Sequence, residues 1–325
     1  MSHSFLKESK LYIVYGGNRY RIYTTTAISF SQTFAEDSYP VKTLHDQSKM
    51  FEGSIITTAN PANFSYTIPL TLEKDESIVM DLITDLVAKT GDPESNASDR
   101  HNHDDTVIAP KQLKSFDSYI QTGSATFKIE NCVVTSANFN FDPRDQFKVE
   151  IEGEGTKLTR VGNESYTIPG SAQSESATRT PLLAYPVISV DSLSMSSIIS
   201  TTVQIQNSIE WTEFETLQES LSVTDSSNAM FPSAYTISNR IVSGAITQYQ
   251  TDNNITQFDD FSTNSNITLK VVEVGKLSSD NGFFAININP AMYTARLESN
   301  AVYSQSYDFR STDNTALSTR ITQYS

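Results

Sequence analysis

The chain has 325 residues, of which 38% are apolar, 10% aromatic and only 19% charged, with a remainder rich in Ser, Thr, Asn and Gln. That length holds two ordinary domains, and the aromatics are spread widely enough to build a core, which excludes global disorder. Against 38 Asp and Glu stand 23 Lys and Arg, a net charge of -15 that disfavours tight binding of nucleic acid, since such binding must neutralise phosphates.

The single Cys132 rules out an intramolecular disulfide framework, so nothing in the sequence asks for an oxidising compartment. The start of the chain has no apolar core of a signal peptide, and no apolar run approaches the length of a membrane span.

In chain order, residues 11–15 and 19–23 are β-branched and aromatic runs separated by Gly16, Gly17 and Asn18, a hairpin signal. Residues 27–34 alternate, with Ile28 and Phe30 between serines, as a half-buried strand does. Residues 35–62 show no sustained period and carry Pro40, Gly53 and Pro61 among scattered apolar side chains. This stretch reads either as a hairpin packed on its own domain or as an arm that docks on a neighbouring subunit, with Tyr39, Val41, Lys42, Met50 and Phe51 as contact candidates. Phe64, Tyr66 and Ile68 mark another strand. Ile78, Val79, Leu82, Ile83, Leu86 and Val87 recur at helical spacing behind Asp75 and Glu76, predicting a helix that stops before Gly91 and Pro93. Residues 91–110 read as a solvated loop, and 116–122, 125–129, 133–141 and 147–151 as four strands. The last alternates cleanly, with Lys148, Glu150 and Glu152 on its polar face. Residues 166–180 have linker composition and mark the boundary between a first domain, 1–165, and a second, 181–325.

The second part repeats the order of the first. Residues 208–213 correspond to 27–32 in apolar parity. A long irregular stretch follows at 215–239, with Met230 and Phe231 as the matching arm candidates, before a strand at 241–246. A weaker helix candidate at 251–262 precedes strands at 267–274, 283–288, 292–297 and 303–309, the last of which continues into Asp308 and Arg310.

Chemistry is hard to find. The cluster His101, Asn102, His103, Asp104 and Asp105 could offer metal ligands but sits in the most polar loop and reads as solvated. The run from Glu152 to Lys157 lacks the third glycine of a dinucleotide site and reads as a turn, and Gly275 and Lys276 lack the glycine-rich approach of a phosphate loop. Cys132 reads as a small core residue. Glu150 and Glu152 could serve glycoside hydrolysis but share a strand face of the solvated kind. No cofactor is expected.

Strand, long arm, strand, amphipathic helix, polar loop and paired strands, in that order, resemble the tail tube proteins of tailed bacteriophages. The tandem arrangement is similar to the T5-like members, which carry two tube domains in one chain. The resemblance rests on residues 27–32 leading into Ser48, Lys49, Met50 and Phe51, on 64–70 leading into the helix, and on the final strands of each half. It implies an all-β fold with minor α, made of two tandem tube-like sandwich or barrel domains, each flanked by one helix and carrying a long arm.

The resemblance further implies a structural, non-enzymatic subunit of the virion, assembled in the host cytoplasm. Homotrimeric, pseudo-hexameric rings would stack into a tube and meet tape-measure, tail terminator and baseplate or tip proteins, with no membrane involved. DNA would pass the lumen without specific binding, along a wall for which Lys148, Glu150, Glu152, Asp308 and Arg310 are candidates and whose acidity would repel it. A β-rich adhesin or carbohydrate-binding virion protein is the alternative, and would need a concave site with exposed aromatics.

Overall fold

The computed structural model describes residues 9–42, 50–84, 86–88, 111–141, 146–190, 195–211, 230–252, 254, 264–273, 284–299, 302–311 and 320–323. The His101 to Asp105 cluster, Gly275 and Lys276, nearly all of the 251–262 helix candidate and much of the 215–239 stretch lie outside them. The fold is mostly β, with one helix among the described residues, and its sheets are not closed into a barrel.

Among the described residues, twenty strands run in the order β1 (Lys10–Tyr15), β2 (Asn18–Ile22), β3 (Ser29–Ser31), β4 (Phe34–Lys42), β5 (Met50–Ala59) and β6 (Ala62–Pro69), then helix α1 (Ser77–Thr84). After it come β7 (Leu86–Ala88), β8 (Lys111–Leu113), β9 (Phe116–Gln121), β10 (Thr126–Phe141), β11 (Lys148–Gly155), β12 (Lys157–Gly162) and β13 (Ser171–Ala172). The rest are β14 (Ala184–Val190), β15 (Ile198–Trp211), β16 (Tyr235–Tyr249), β17 (Asn264–Glu273), β18 (Phe284–Ser299), β19 (Tyr303–Ser311) and β20 (Arg320–Gln323).

The β1–β2 hairpin turns on Gly16 and Gly17, both at positive φ, as the paired runs predict. The 35–62 stretch is not irregular: β4 and β5 form an antiparallel ribbon of their own. Its residues follow no sustained period, and the pairing is made by backbone groups that side-chain pattern does not name. The predicted strand at 27–34 shrinks to Ser29–Ser31, and a new strand starts at Phe34.

The helix is shorter than its periodicity suggests. Leu86 and Val87 leave it for β7, where they pair with Leu113 and Gln112. Glu76 does not sit in the first turn. It is buried just before the helix, where its carboxylate accepts from the Thr71 amide at 2.6 Å and the Thr71 hydroxyl at 2.9 Å.

Two pairs of predicted strands each merge into one. Residues 125–129 and 133–141 are parts of β10, and 283–288 and 292–297 are parts of β18, each strand running 16 residues. Register shifts interrupt the pairing of both strands midway, and in β10 Asn131 takes a positive φ there, which is why sequence reading splits them.

The predicted linker is strapped to the body. Ser171 and Gln173 donate backbone hydrogen bonds to Gly17 and Arg19, Ser176 donates through its amide and hydroxyl to Asp75, and Thr180 does likewise to Glu73. These bonds hold the Glu73 carboxyl below its usual range, the Thr180 amide contributing most.

Six antiparallel pairings recur in the same chain order in the two halves. β1–β9, β9–β10, β10–β11, β10–β12, β6–β11 and β3–β6 have the counterparts β14–β17, β17–β18, β18–β19, β18–β20, β16–β19 and β15–β16. One core, containing Ile68, Phe139, Val149, Ile151, Val203, Ile205, Val242 and Phe309, spans both halves. It is continuous because β10 pairs directly with β15 over residues 136–141 and 201–206.

Candidate functional site

Tracing pairs from strand to strand gives the order β3, β6, β11, β10, β15, β16, β19, β18, eight neighbours in one sheet. One face is core. On the other, a single cross-strand row reads Thr67, Glu150, Asn138, Gln204, Ser243, Arg310, and the next reads Pro69, Lys148, Asn140, Thr202, Ala245, Asp308. Residues in register share a face. The structure therefore brings Lys148, Glu150, Glu152, Asp308 and Arg310 together on one polar face, although they come from opposite ends of the sequence.

Electrostatically this face is mixed instead of acidic. Arg296 lies 3.5 Å from Asp308 with both side chains well exposed, and Asn138 donates to Glu150 at 3.4 Å. An exposed ion pair of this kind contributes little to stability. Lys148, Arg296 and Arg310 offset Glu150, Glu152 and Asp308, so the acidity of the chain is not concentrated here. Apart from Pro69 and Ala245, the remainder of the two rows is hydroxyls and amides. The physical reason is the sheet itself: opposite charges on neighbouring strands attract, whereas an all-acidic face would strain the pairing.

The seam between the halves carries its own polar contacts. Asn207 donates to the Val134 carbonyl at 2.9 Å, the Trp211 indole N–H to Glu154 Oε2 at 2.7 Å, and the Tyr235 hydroxyl to the Leu113 carbonyl at 2.7 Å. Trp211 and Tyr235 rings lie 5.2 Å apart, within a small cluster that includes Leu113, Val133, Ile209 and Ile237. Burial pushes the Tyr235 hydroxyl up to about 12. Arg240, 3% exposed, donates to the Ile83 carbonyl at 3.2 Å, near the C-terminus of α1, where a cation is favoured. Sequence reading missed this seam. Trp211 passes for a core residue until its partners from the other half are known.

In the arm ribbon, Tyr39 pairs with Gly53, Val41 with Phe51 and Lys42 with Met50. Met230 and Phe231, the arm candidates of the second half, are buried with Ala59 at the ribbon's base inside the same chain. The Ala59 amide donates to the Met230 carbonyl at 2.8 Å, and the Lys157 ammonium lies 4.5 Å from the Phe231 ring centre.

Cys132 is fully buried and burial pushes its thiol well up, as a core cysteine requires. Among the described residues no cluster of His, Cys, Asp or Glu is arranged to hold a metal, and no helix is long and apolar enough to cross a membrane.

A wide sheet with one apolar and one polar face defines the chain as a protein of the all-β class with minor α. The sequence profile of the bacteriophage baseplate tube protein family matches residues 1–322, and the chain belongs to that family. It is thus a structural component of the phage virion, working with other proteins of the phage tail. No curated protein matches the chain.

Proposed function

We propose that the chain is a ring-forming tube subunit of the T5-like kind, with two tandem tube units, 1–165 and 181–325, joined by 166–180. Duplication of one unit is supported by the six pairings that recur in chain order. Three copies would give a pseudo-hexameric ring, and stacked rings a tube through which the genome passes on its way into the host.

The observation that carries this reading is the β10–β15 seam. There, two units of like topology already join edge to edge, so that eight strands from β3 to β18 run side by side in one larger sheet. An edge that is satisfied by a neighbouring unit within the chain can be satisfied by a neighbouring chain, and a closed ring leaves none open. The polar face then lines the channel. Its paired charges and amides present no concentration of Lys and Arg to hold phosphates, so DNA slides past it without specific binding. The ribbon residues Tyr39, Val41, Lys42, Met50 and Phe51 serve contacts between subunits or rings. Assembly takes place in the host cytoplasm, with tape-measure, tail terminator and baseplate or tip proteins as neighbours.

Negative-stain microscopy of the purified full-length protein, with its mass measured by light scattering, tests the reading. Hollow rings with the mass of three chains are expected. A protein that stays monomeric at high concentration and shows no rings would sink it.

A further inference from the structure

The two halves can be superposed residue by residue from their strand ends. Pro69 and Tyr249 end β6 and β16, Phe141 and Ser299 end β10 and β18, and Gly155 and Ser311 end β11 and β19. Aligning these ends also makes the cross-strand pair Phe64 and Gly153 coincide with Gly244 and Phe309, so the pairing register between these strands is the same in both halves. On this alignment Phe139 corresponds to Leu297 and Phe30 to Val203.

The halves differ at one place. In the first, β10 over residues 136–141 lies between β11 and β15. In the second, the corresponding part of β18 has β19 on one side and, past Met292, no described strand on the other. Likewise β15 lies between β10 and β16, whereas its counterpart β3 has only β6 among the described residues. Exposure follows the same asymmetry. Phe139 is 0% exposed beneath the seam, but Leu297 is 44% exposed. Phe147, whose amide donates to Leu182 of the second half, is 4% exposed, but its counterpart Tyr303 is 56% exposed. Two large apolar side chains therefore stand exposed at positions whose counterparts in the first half are buried where that half meets Val203 and Leu182 of the second.

Building on the ring reading above, we infer that the β18 edge of one chain pairs antiparallel with the β3 edge of a second copy, in the register of the internal β10–β15 seam. Transferring that register places Glu298 opposite Ser29, Leu297 opposite Phe30 and Arg296 opposite Ser31 of the next copy. Leu297 then meets Phe30, whose ring already packs on the core, as Phe139 meets Val203. Both edges, open among the described residues, are used once per chain, so the contact is head to tail, the kind of contact from which a closed ring is built.

Cysteines test the register in the full-length protein carrying Cys132→Ala. Ser29→Cys with Glu298→Cys is the in-register pair. Ser29→Cys with Thr294→Cys is displaced by four residues, roughly 13 Å along the strand, beyond disulfide reach. Ser31→Cys with Arg296→Cys repeats the in-register test on the next row, should the first pair disturb folding. After mild oxidation, the in-register pairs are expected to give at least about tenfold more covalently linked oligomer than the displaced pair. Rings in micrographs with no in-register cross-link, or equal linking by the displaced pair, would overturn the register and leave the ring reading standing. Absence of rings from the unsubstituted protein would overturn both.

Discussion

Phe64 on β6 lies opposite Gly153 on β11, and its ring occupies the space a side chain at 153 would need: an added Cβ would sit 2.1 Å from Phe64 Cζ and 2.4 Å from the Val133 carbonyl oxygen. Gly244 and Phe309 make the same arrangement in the other half with the strands exchanged, a Cβ at 244 falling 2.1 Å from the Thr202 carbonyl oxygen and 2.6 Å from Phe309 Cζ. Neither glycine needs a positive φ, so the constraint is packing and not backbone conformation. Gly153→Ala and Gly244→Ala should each cost about 3 kcal/mol, because backbone oxygens as well as rings must move. Chemical denaturation measures this, and a loss below about 0.5 kcal/mol, the ordinary surface range, would contradict the arrangement.

Trp211 is the only tryptophan, so its fluorescence reports on the seam alone. Glu154→Ala should shift its emission and lower stability by about 1–2 kcal/mol, since the indole N–H loses a charged acceptor. Glu152→Ala, two residues away and exposed, should change stability by no more than about 0.5 kcal/mol. Equal effects of the two substitutions would argue against a specific bond at the seam.

Glu76 makes stability depend on pH. Burial raises its carboxyl above the usual value, more than the bonds from Thr71 lower it. A raised carboxyl binds its proton more tightly in the folded state. Its contribution is therefore fully present below the unfolded value of about 4.3 and is lost as pH rises through the folded value. Glu76→Gln keeps an acceptor for the Thr71 amide and removes the buried charge, so it should stabilise the protein by up to about 1 kcal/mol at pH 7. The gain over the unsubstituted protein should vanish near pH 4, as thermal unfolding across that range would reveal. A benefit independent of pH would show that charge is not its cause.

The polar face can be tested for its proposed place in the channel. Glu150→Lys with Glu152→Lys would leave Lys148 in a cationic strip, which attracts phosphates through release of their counterions. Virions carrying both changes should eject DNA more slowly, with the delay shrinking as salt rises. Unchanged ejection would move this face out of the channel.

Alternation along β6 and β11 was legible because each has a buried and a solvated face, and the β1–β2 turn was legible from its glycines. The repeated order of elements could also be read, since it needs only the succession of patterns. Strand mergers in β10 and β18 could not be, because a register shift reverses which side chains face inward and mimics a break. The β4–β5 ribbon escaped because its residues follow no sustained period. The mixed charge of the polar face escaped because Lys148 and Asp308 come to share one face only through the three strands that lie between them.

By itself the sequence determined which short segments become strands, that two halves follow one order, and that the chain resembles phage tube proteins, all of which depend on local periodicity and turn chemistry. Only the tertiary structure decided which strands lie beside which, that β10 and β15 join the halves, and which edges lack a neighbour among the described residues. Pairing between strands is made by backbone groups that every residue carries, so side-chain pattern does not name the partner.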